Sequence, residues 1–206
     1  MNGQEKPYRP VPSRPIARGR TVWLRPIDEG DLEDYCAAIN EHEPGWWAGY
    51  VGASSLAQTR RWYEKTVVER HGVDGYWFTV CPLGSHEFLG QIWVWDIDHR
   101  VRGAEISVYI AAPGRGVGTD AIDAAVDFGI GSLDLPRIFG FTDEHNQRSL
   151  AAFERCGFVV EGRLRGAGTH AGRRTDLVQF SMTLDDWRAL ERPRSWELNQ
   201  SDPPGS

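Results

Sequence analysis

Three cysteines, Cys36, Cys81 and Cys156, are all that the chain carries, an odd number with no motif spacing. That excludes a disulfide framework and sets the expectation of a reducing compartment. Long apolar runs are missing as well. No stretch is long enough to span a bilayer, and Met1–Arg20 lacks the apolar centre of a signal peptide, so the cytoplasm is the expected location, with no membrane partner. Histidine and cysteine nowhere fall at ligand spacing, so no metal is expected. Positive charge is not in excess either: the formal net charge is −6, which disfavours a general attraction to nucleic acid. Arg163, Arg165, Arg173 and Arg174 form one basic cluster, read as the solvated surface of a hairpin. The overall acidity mildly favours a cationic acceptor such as an amine.

What is present suits a globular protein. The chain has 206 residues, 40% hydrophobic and 25% charged, enough for one large domain with its own core. Pro7, Pro10, Pro12 and Pro15 mark residues 1–19 as an extended leader, and Pro193, Pro203, Pro204 and Gly205 mark residues 191–206 as a flexible tail. The domain is expected over residues 20–190. Alternating residues 21–25 read as a strand. Helices follow over residues 32–39, after Asp28 and Asp31 as capping signals, and over residues 55–70. Three strands come next, over residues 76–81, 87–96 and 104–111, then a helix from Thr119 to Gly131. A strand over residues 137–142, a helix over residues 147–155 and two strands, 158–165 and 177–183, close the domain. The order βααβββαβαββ describes a mixed α/β fold with one central mixed sheet flanked by helices. Most of the nine tryptophans should lie in the core or on a sheet face.

The sharpest local feature is Tyr109-Ile-Ala-Ala-Pro-Gly-Arg115-Gly116-Val117-Gly118-Thr119-Asp120. A strand runs through glycines straight into a helix. Glycine admits a tight turn and close approach of a ligand to the backbone. The unpaired N–H groups of a first helical turn, with the helix dipole behind them, make an anion site suited to a diphosphate. Arg115 adds a charged donor. The Gly-Lys-Ser/Thr ending of a P-loop is absent, and so is the third glycine of a dinucleotide fingerprint. By itself the glycine pair reads better as a plain tight turn, and the context must decide.

The following residues narrow the choice. Arg115-Gly-Val-Gly-Thr-Asp-Ala121-Ile122, Leu135-Pro-Arg137-Ile138, Asn146-Gln-Arg-Ser149, Phe153-Glu-Arg-Cys-Gly157-Phe158 and Glu161-Gly162 fall in order. The series resembles the GNAT superfamily of N-acyltransferases, most closely its ribosomal-protein N-terminal acetyltransferase branch, over residues 20–190. The resemblance implies an acyl-coenzyme A donor, acetyl-coenzyme A above all, and an amine acceptor attacking directly. It implies that amides from Arg115 to Asp120, through Gly116, Val117, Gly118 and Thr119, hold the diphosphate. It places the pantetheine arm along residues 106–110, including Val108, Tyr109 and Ile110. It also parts that strand from residues 137–142. Val108 or Tyr109 would supply the N–H for a developing oxyanion, and Asn146 would bond the pantetheine arm or cap its helix. Phe153 is expected against the cofactor, at a position where many members carry a tyrosine acid. Phenylalanine cannot donate a proton, so Ser149 is the candidate acid. Glu105, at the start of the pantetheine strand, is the candidate base, with His170 and Asp176 in reserve. The branch's usual glutamate is replaced here by Gly168.

Acceptor binding is assigned to the region after the first helix. There Glu41, Trp46 and Trp47 combine a carboxylate with aromatic faces that attract cations. The acceptor is an amine-bearing small molecule or a protein N-terminus, and the chain is a monomer or homodimer. Three further readings stand beside this one: a succinyl-coenzyme A donor, an aminoacyl-tRNA donor, and a regulator that binds acyl-coenzyme A without catalysis.

Overall fold

The computed structural model describes residues 10–41, 53–111, 114 and 116–201. The chain enters through a two-residue strand, β1 (Ala17–Arg18), which pairs antiparallel with β2 (Val22–Pro26). A 3-10 turn over Glu29–Asp31 is closed by a capping box between Asp28 and Asp31 and leads into helix α1 (Leu32–Ile39). Ser55 and Gln58 make a second capping box at the head of α2 (Leu56–Trp62), which widens into π-type turns over Tyr63–Val68.

Strands β3 (Gly75–Pro82), β4 (Gly90–Trp95) and β5 (Gly103–Ile110) form an antiparallel meander. Helix α3 (Val117–Val126) continues in π-type turns through Asp127–Ser132. Then come β6 (Arg137–Asp143), α4 (Gln147–Arg155), the long hairpin β7 (Val159–His170) and β8 (Arg173–Thr183), and two short helices, α5 (Leu184–Ala189) and α6 (Ser195–Ser201). One eight-stranded sheet runs in the order β1-β2-β3-β4-β5-β6-β8-β7. Every neighbouring pair is antiparallel except β5 with β6. This is the expected mixed fold around a single sheet. Among the described residues, no helix is long and apolar enough to cross a membrane.

The sheet has an apolar layer on each face. Ile92, Val94, Ala104, Ile106 and Ile138 pack against Ala121, Ile122 and Ala125 of α3. On the other face Ile27, Leu32, Val67 and Trp77 are joined by Trp62, Trp93 and Trp95 beneath α1 and α2. A buried ion pair stiffens that second layer. Arg25 grips Asp31 with two bonds of 2.6 and 2.7 Å, and the Thr79 hydroxyl donates to the same carboxylate at 2.8 Å. Arg137, at the start of β6, holds Glu161 of β7 in a two-pronged bond at 2.6 and 2.7 Å. The basic cluster of the β7–β8 hairpin lies on the exposed surface, with Arg163 paired to Glu144 at 2.7 Å.

Of the leader and tail read from proline content, residues 1–9 and 202–206 lie outside the described residues, and the rest includes ordered segments. Asp127, 2% exposed, accepts from Trp187 Nε1, from both terminal nitrogens of Arg192 and from the Ser195 amide, all at 2.8–2.9 Å. The Ser195 hydroxyl donates to the Arg18 carbonyl at 2.7 Å, and Asn199 donates to the Pro15 carbonyl at 2.8 Å. Residues 15–18 and 191–201 are therefore tied to α3 and to each other. Polar bonds do this, and they leave no apolar period to read. Replacing Asp127 with alanine would leave the buried Arg192 guanidinium with Asp123, 3.1 Å away, as its remaining carboxylate partner. The expected loss is about 3 kcal/mol, seen in a denaturant titration or as a melting point lowered by roughly 10 °C.

Candidate active site

The site is built where β5 and β6 part. They pair only over Gly103–Arg137, Ala104–Ile138 and Glu105–Phe139, although β5 runs on to Ile110 and β6 to Asp143. On its other side β5 stays paired with β4 as far as Ile110. Main-chain groups alternate along a strand. The Ala111 amide donates to Leu89, and the Ile106 carbonyl lies 2.9 Å from where a Cβ on Gly140 of β6 would sit. The main-chain groups of Glu105, Ser107 and Tyr109 therefore turn to β4, and those of Ile106, Val108 and Ile110 turn toward β6. Beyond Ile106, β6 has moved away. Val108 and Ile110 thus offer their N–H and C=O groups to the opening. Tyr109 does not, which corrects its assignment to the cofactor. Its hydroxyl donates instead to the Ala38 carbonyl of α1 at 2.6 Å.

Because β5 and β6 are parallel, the helices that follow them both begin at the mouth of the opening. Gly116 is the N-cap of α3 with φ of +76°, a left-handed conformation that only glycine adopts without strain. The Gly118 and Thr119 amides are first-turn donors with no partner inside the helix, while Val117 reaches the Gly114 carbonyl at 3.3 Å. Asp120 is a second correction. Its amide bonds the Gly116 carbonyl, and its carboxylate accepts from the amides of Arg20, Thr21 and Val22 and from the Thr21 hydroxyl at 2.7–3.1 Å. It ties β2 to α3 and has no donor left for an anion. Arg115 lies outside the described residues.

Helix α4 opens on Asn146, whose Oδ1 accepts from the Ser149 amide at 3.1 Å. The cap is thus observed, and Nδ2 makes no hydrogen bond among the described residues. The Ser149 hydroxyl likewise has no hydrogen bond there, so it is not occupied with its own helical turn. Phe153 is the third correction. At 3% exposure it stacks on Phe180 with centroids 4.0 Å apart and meets Phe158 edge-on at 5.0 Å. It is a core residue, because its ring completes an aromatic trio under the sheet.

On the face toward α1 and α2, Glu105 stands at the last paired position before the strands separate. It is half-buried, and burial lifts its carboxyl above the usual carboxylate range. Asp96 pushes in the same sense, and the Ser107 hydroxyl, 3.4 Å away, pulls back. Trp95 Nε1 donates to the Ser107 oxygen at 3.1 Å. Ser107 was missed from the sequence, although alternation along residues 105–109 places it on the same face as Glu105. Glu41 is exposed at the end of α1 and lines an open depression of about 580 Å³ with Asp34, Ala38, Glu87, Phe88 and Tyr109. Trp46 and Trp47 lie outside the described residues. Among the described residues no group of three or more metal-ligating side chains is found.

A sheet that opens beside main-chain donors without partners among the described residues, with two helices starting at its mouth, has the architecture expected of a coenzyme A-dependent acyltransferase. The family model for the acetyltransferase (GNAT) domain matches residues 21–159, and the chain belongs to that family. It is an N-acetyltransferase with acetyl-coenzyme A as donor and an amino group as acceptor. Among curated proteins it is 27% identical over 173 residues to YdaF of Bacillus subtilis (strain 168), whose name assigns it provisionally to ribosomal N-acetylation. That match covers 81% of this chain and 93% of YdaF. It is 31% identical over 154 residues to the spermidine N(1)-acetyltransferase of Escherichia coli (strain K12), covering 70% of this chain and 76% of that one. Among solved structures, spermidine N-acetyltransferase from Vibrio cholerae, in complex with CoA and spermine, superposes with a TM-score of 0.74. That match is at 24% identity, over 81% of this chain and 98% of that one, a likeness of fold.

The two glycines of the turn should separate in a melting experiment. Gly116→Ala places a side chain at left-handed φ and costs about 1–2 kcal/mol. At Gly118 the added Cβ would meet only Ile110 Cγ1 at 3.6 Å, so Gly118→Ala leaves the melting point unchanged or slightly raised.

Proposed function

We propose that Glu105 is the general base that deprotonates the acceptor amine, and that the acceptor is a small molecule carrying more than one positive charge. The placement of Glu105 carries the reading: a half-buried carboxylate at the vertex of the opening, its affinity for a proton raised by burial. The residues at the opening fit the donor. Val108 and Ile110 present unpaired main-chain groups to an extended arm, and the Gly118 and Thr119 amides suit a diphosphate. Asn146 Nδ2 is available for an amide carbonyl of that arm. When bound, acetyl-coenzyme A supplies an activated thioester. The protein's part is to hold it, to take a proton from the amine at Glu105, and to offer the Val108 N–H to charge developing on the carbonyl oxygen. Ser149, with its unengaged hydroxyl at the head of α4, is the proton donor for the departing sulfur, a role Phe153 cannot fill.

A multiply charged acceptor is supported by the net charge of −6 and by the depression where Asp34, Glu41 and Glu87 converge. The names of relatives acting on spermidine and aminoglycosides agree. A protein N-terminus is the second reading, favoured by the match to YdaF along 93% of its length. Assays with acetyl-coenzyme A against polyamines, aminoglycosides and N-terminal peptides separate the two, and acetylation of peptides alone overturns the first.

Base catalysis requires ionised Glu105, so the rate falls as pH drops through the pKa of that carboxyl, above the ordinary carboxylate range. Glu105→Gln should lower kcat/KM about 10²–10³-fold at neutral pH and remove that acidic limb. A rate and pH profile matching the unsubstituted protein would remove Glu105 as base. Ser149→Ala should cost about tenfold in kcat, and Gly116→Val should weaken coenzyme A binding in calorimetry by about tenfold or more.

A further inference from the structure

We propose that Ser107 and Trp95 are positioning residues that aim and tune Glu105 through a two-step hydrogen-bond chain, an inference that rests on Glu105 being the base. Glu105 and Ser107 are two apart on β5 and share the face toward α1 and α2. Trp95 stands directly opposite Glu105 on β4, and Trp93 stands opposite Ser107. Trp95 Nε1 can only donate, and it donates to Ser107 Oγ at 3.1 Å. That bond occupies a lone pair of the serine and leaves its single hydrogen for another acceptor. The Glu105 carboxylate, 3.4 Å from the same oxygen, is in line to receive it. The order is therefore indole, hydroxyl, carboxylate, and each bond strengthens the next.

The chain performs two tasks. It holds one carboxylate oxygen toward the strand and leaves the other for the acceptor. It also sets the pH at which the base works. Burial raises the carboxyl, and a donor to the charged form lowers it again. Asp96, the residue after Trp95, is the charged group acting on Glu105 through space, and it opposes ionisation. Among the described residues no cation acts on Glu105: β6 brings Phe139 opposite it, and the helix layer brings Trp62 and Val67. Arg137 of β6 is held by Glu161 and Ser181. The serine hydroxyl is thus the side chain that favours the ionised base.

The experiment is a set of kcat/KM–pH profiles on the full chain with acetyl-coenzyme A and whichever amine the screen identifies, for Ser107→Ala, Ser107→Thr, Trp95→Phe and Glu105→Gln. Ser107→Ala should move the acidic limb to higher pH by about half a unit or more, with the plateau rate reduced less than tenfold. Ser107→Thr, which keeps the hydroxyl, should restore the limb. Trp95→Phe should shift it in the same direction by a smaller amount, and it stands in for Ser107→Ala should that variant fail to fold. An acidic limb that Glu105→Gln removes but Ser107→Ala and Trp95→Phe both leave in place overturns the tuning role and spares the base. A limb that survives Glu105→Gln overturns the base itself, and the chain with it.

Discussion

Two parallel strands that pair for three residues and then separate govern the rest of this molecule. Buried main-chain donors and acceptors need partners. By leaving β6, the second half of β5 exposes an ordered row of them on one side while β4 holds the other side rigid. An extended ligand that supplies the missing partners completes the sheet. Strand addition of this kind gives affinity through the backbone and leaves side chains free for other work. Here the even-numbered side chains of β5 fill the core beneath α3, and the odd-numbered ones, Glu105, Ser107 and Tyr109, point to the face covered by α1 and α2. One strand thus serves two layers with its side chains and the opening with its main chain.

Carboxylates in the first and last turns of α3 keep that arrangement in place. Asp120 fastens the head of the helix to the start of β2, and Asp127 fastens its far end to the C-terminal segment. Both are satisfied by several donors, so neither is an uncompensated buried charge. The helix that begins at the mouth of the opening is held by Asp120 in its first turn and by Asp127 just past its last. The turn before it relies on Gly116 alone for its left-handed step.

Much of this was legible from the residues. Alternation and capping signals located the strands and helices of the central sheet, and the family resemblance implied an opening between the two strands that the structure parts, β5 and β6. Ser55 and Asn146 act as caps where side-chain chemistry says they should. The misreadings share a cause. Proline at both ends suggested free segments, but side-chain hydrogen bonds from Arg192, Ser195 and Asn199 hold residues 15–18 and 191–201, and such bonds carry no periodic signal. Glycines at 166, 168 and 172 hid the outer half of the β7–β8 hairpin, which the structure extends to His170 and Arg173. Tyr109, Asp120 and Phe153 sit inside the right motifs, but their atoms are already engaged, and only coordinates show that.

The carboxylate of Asp120 occupies the same helical turn whose amides would welcome a diphosphate. Negative charge there is harmless only while Arg20, Thr21 and Val22 turn it inward. Gly19 allows this closeness, since a methyl group at that position would fall 2.3 Å from the acid. A change at Gly19, a hundred positions upstream and remote from any reacting atom, would swing an anion toward the mouth and set like charge against like. The inward pose of the Asp120 carboxylate thus depends on a residue that lacks a side chain, just ahead of β2.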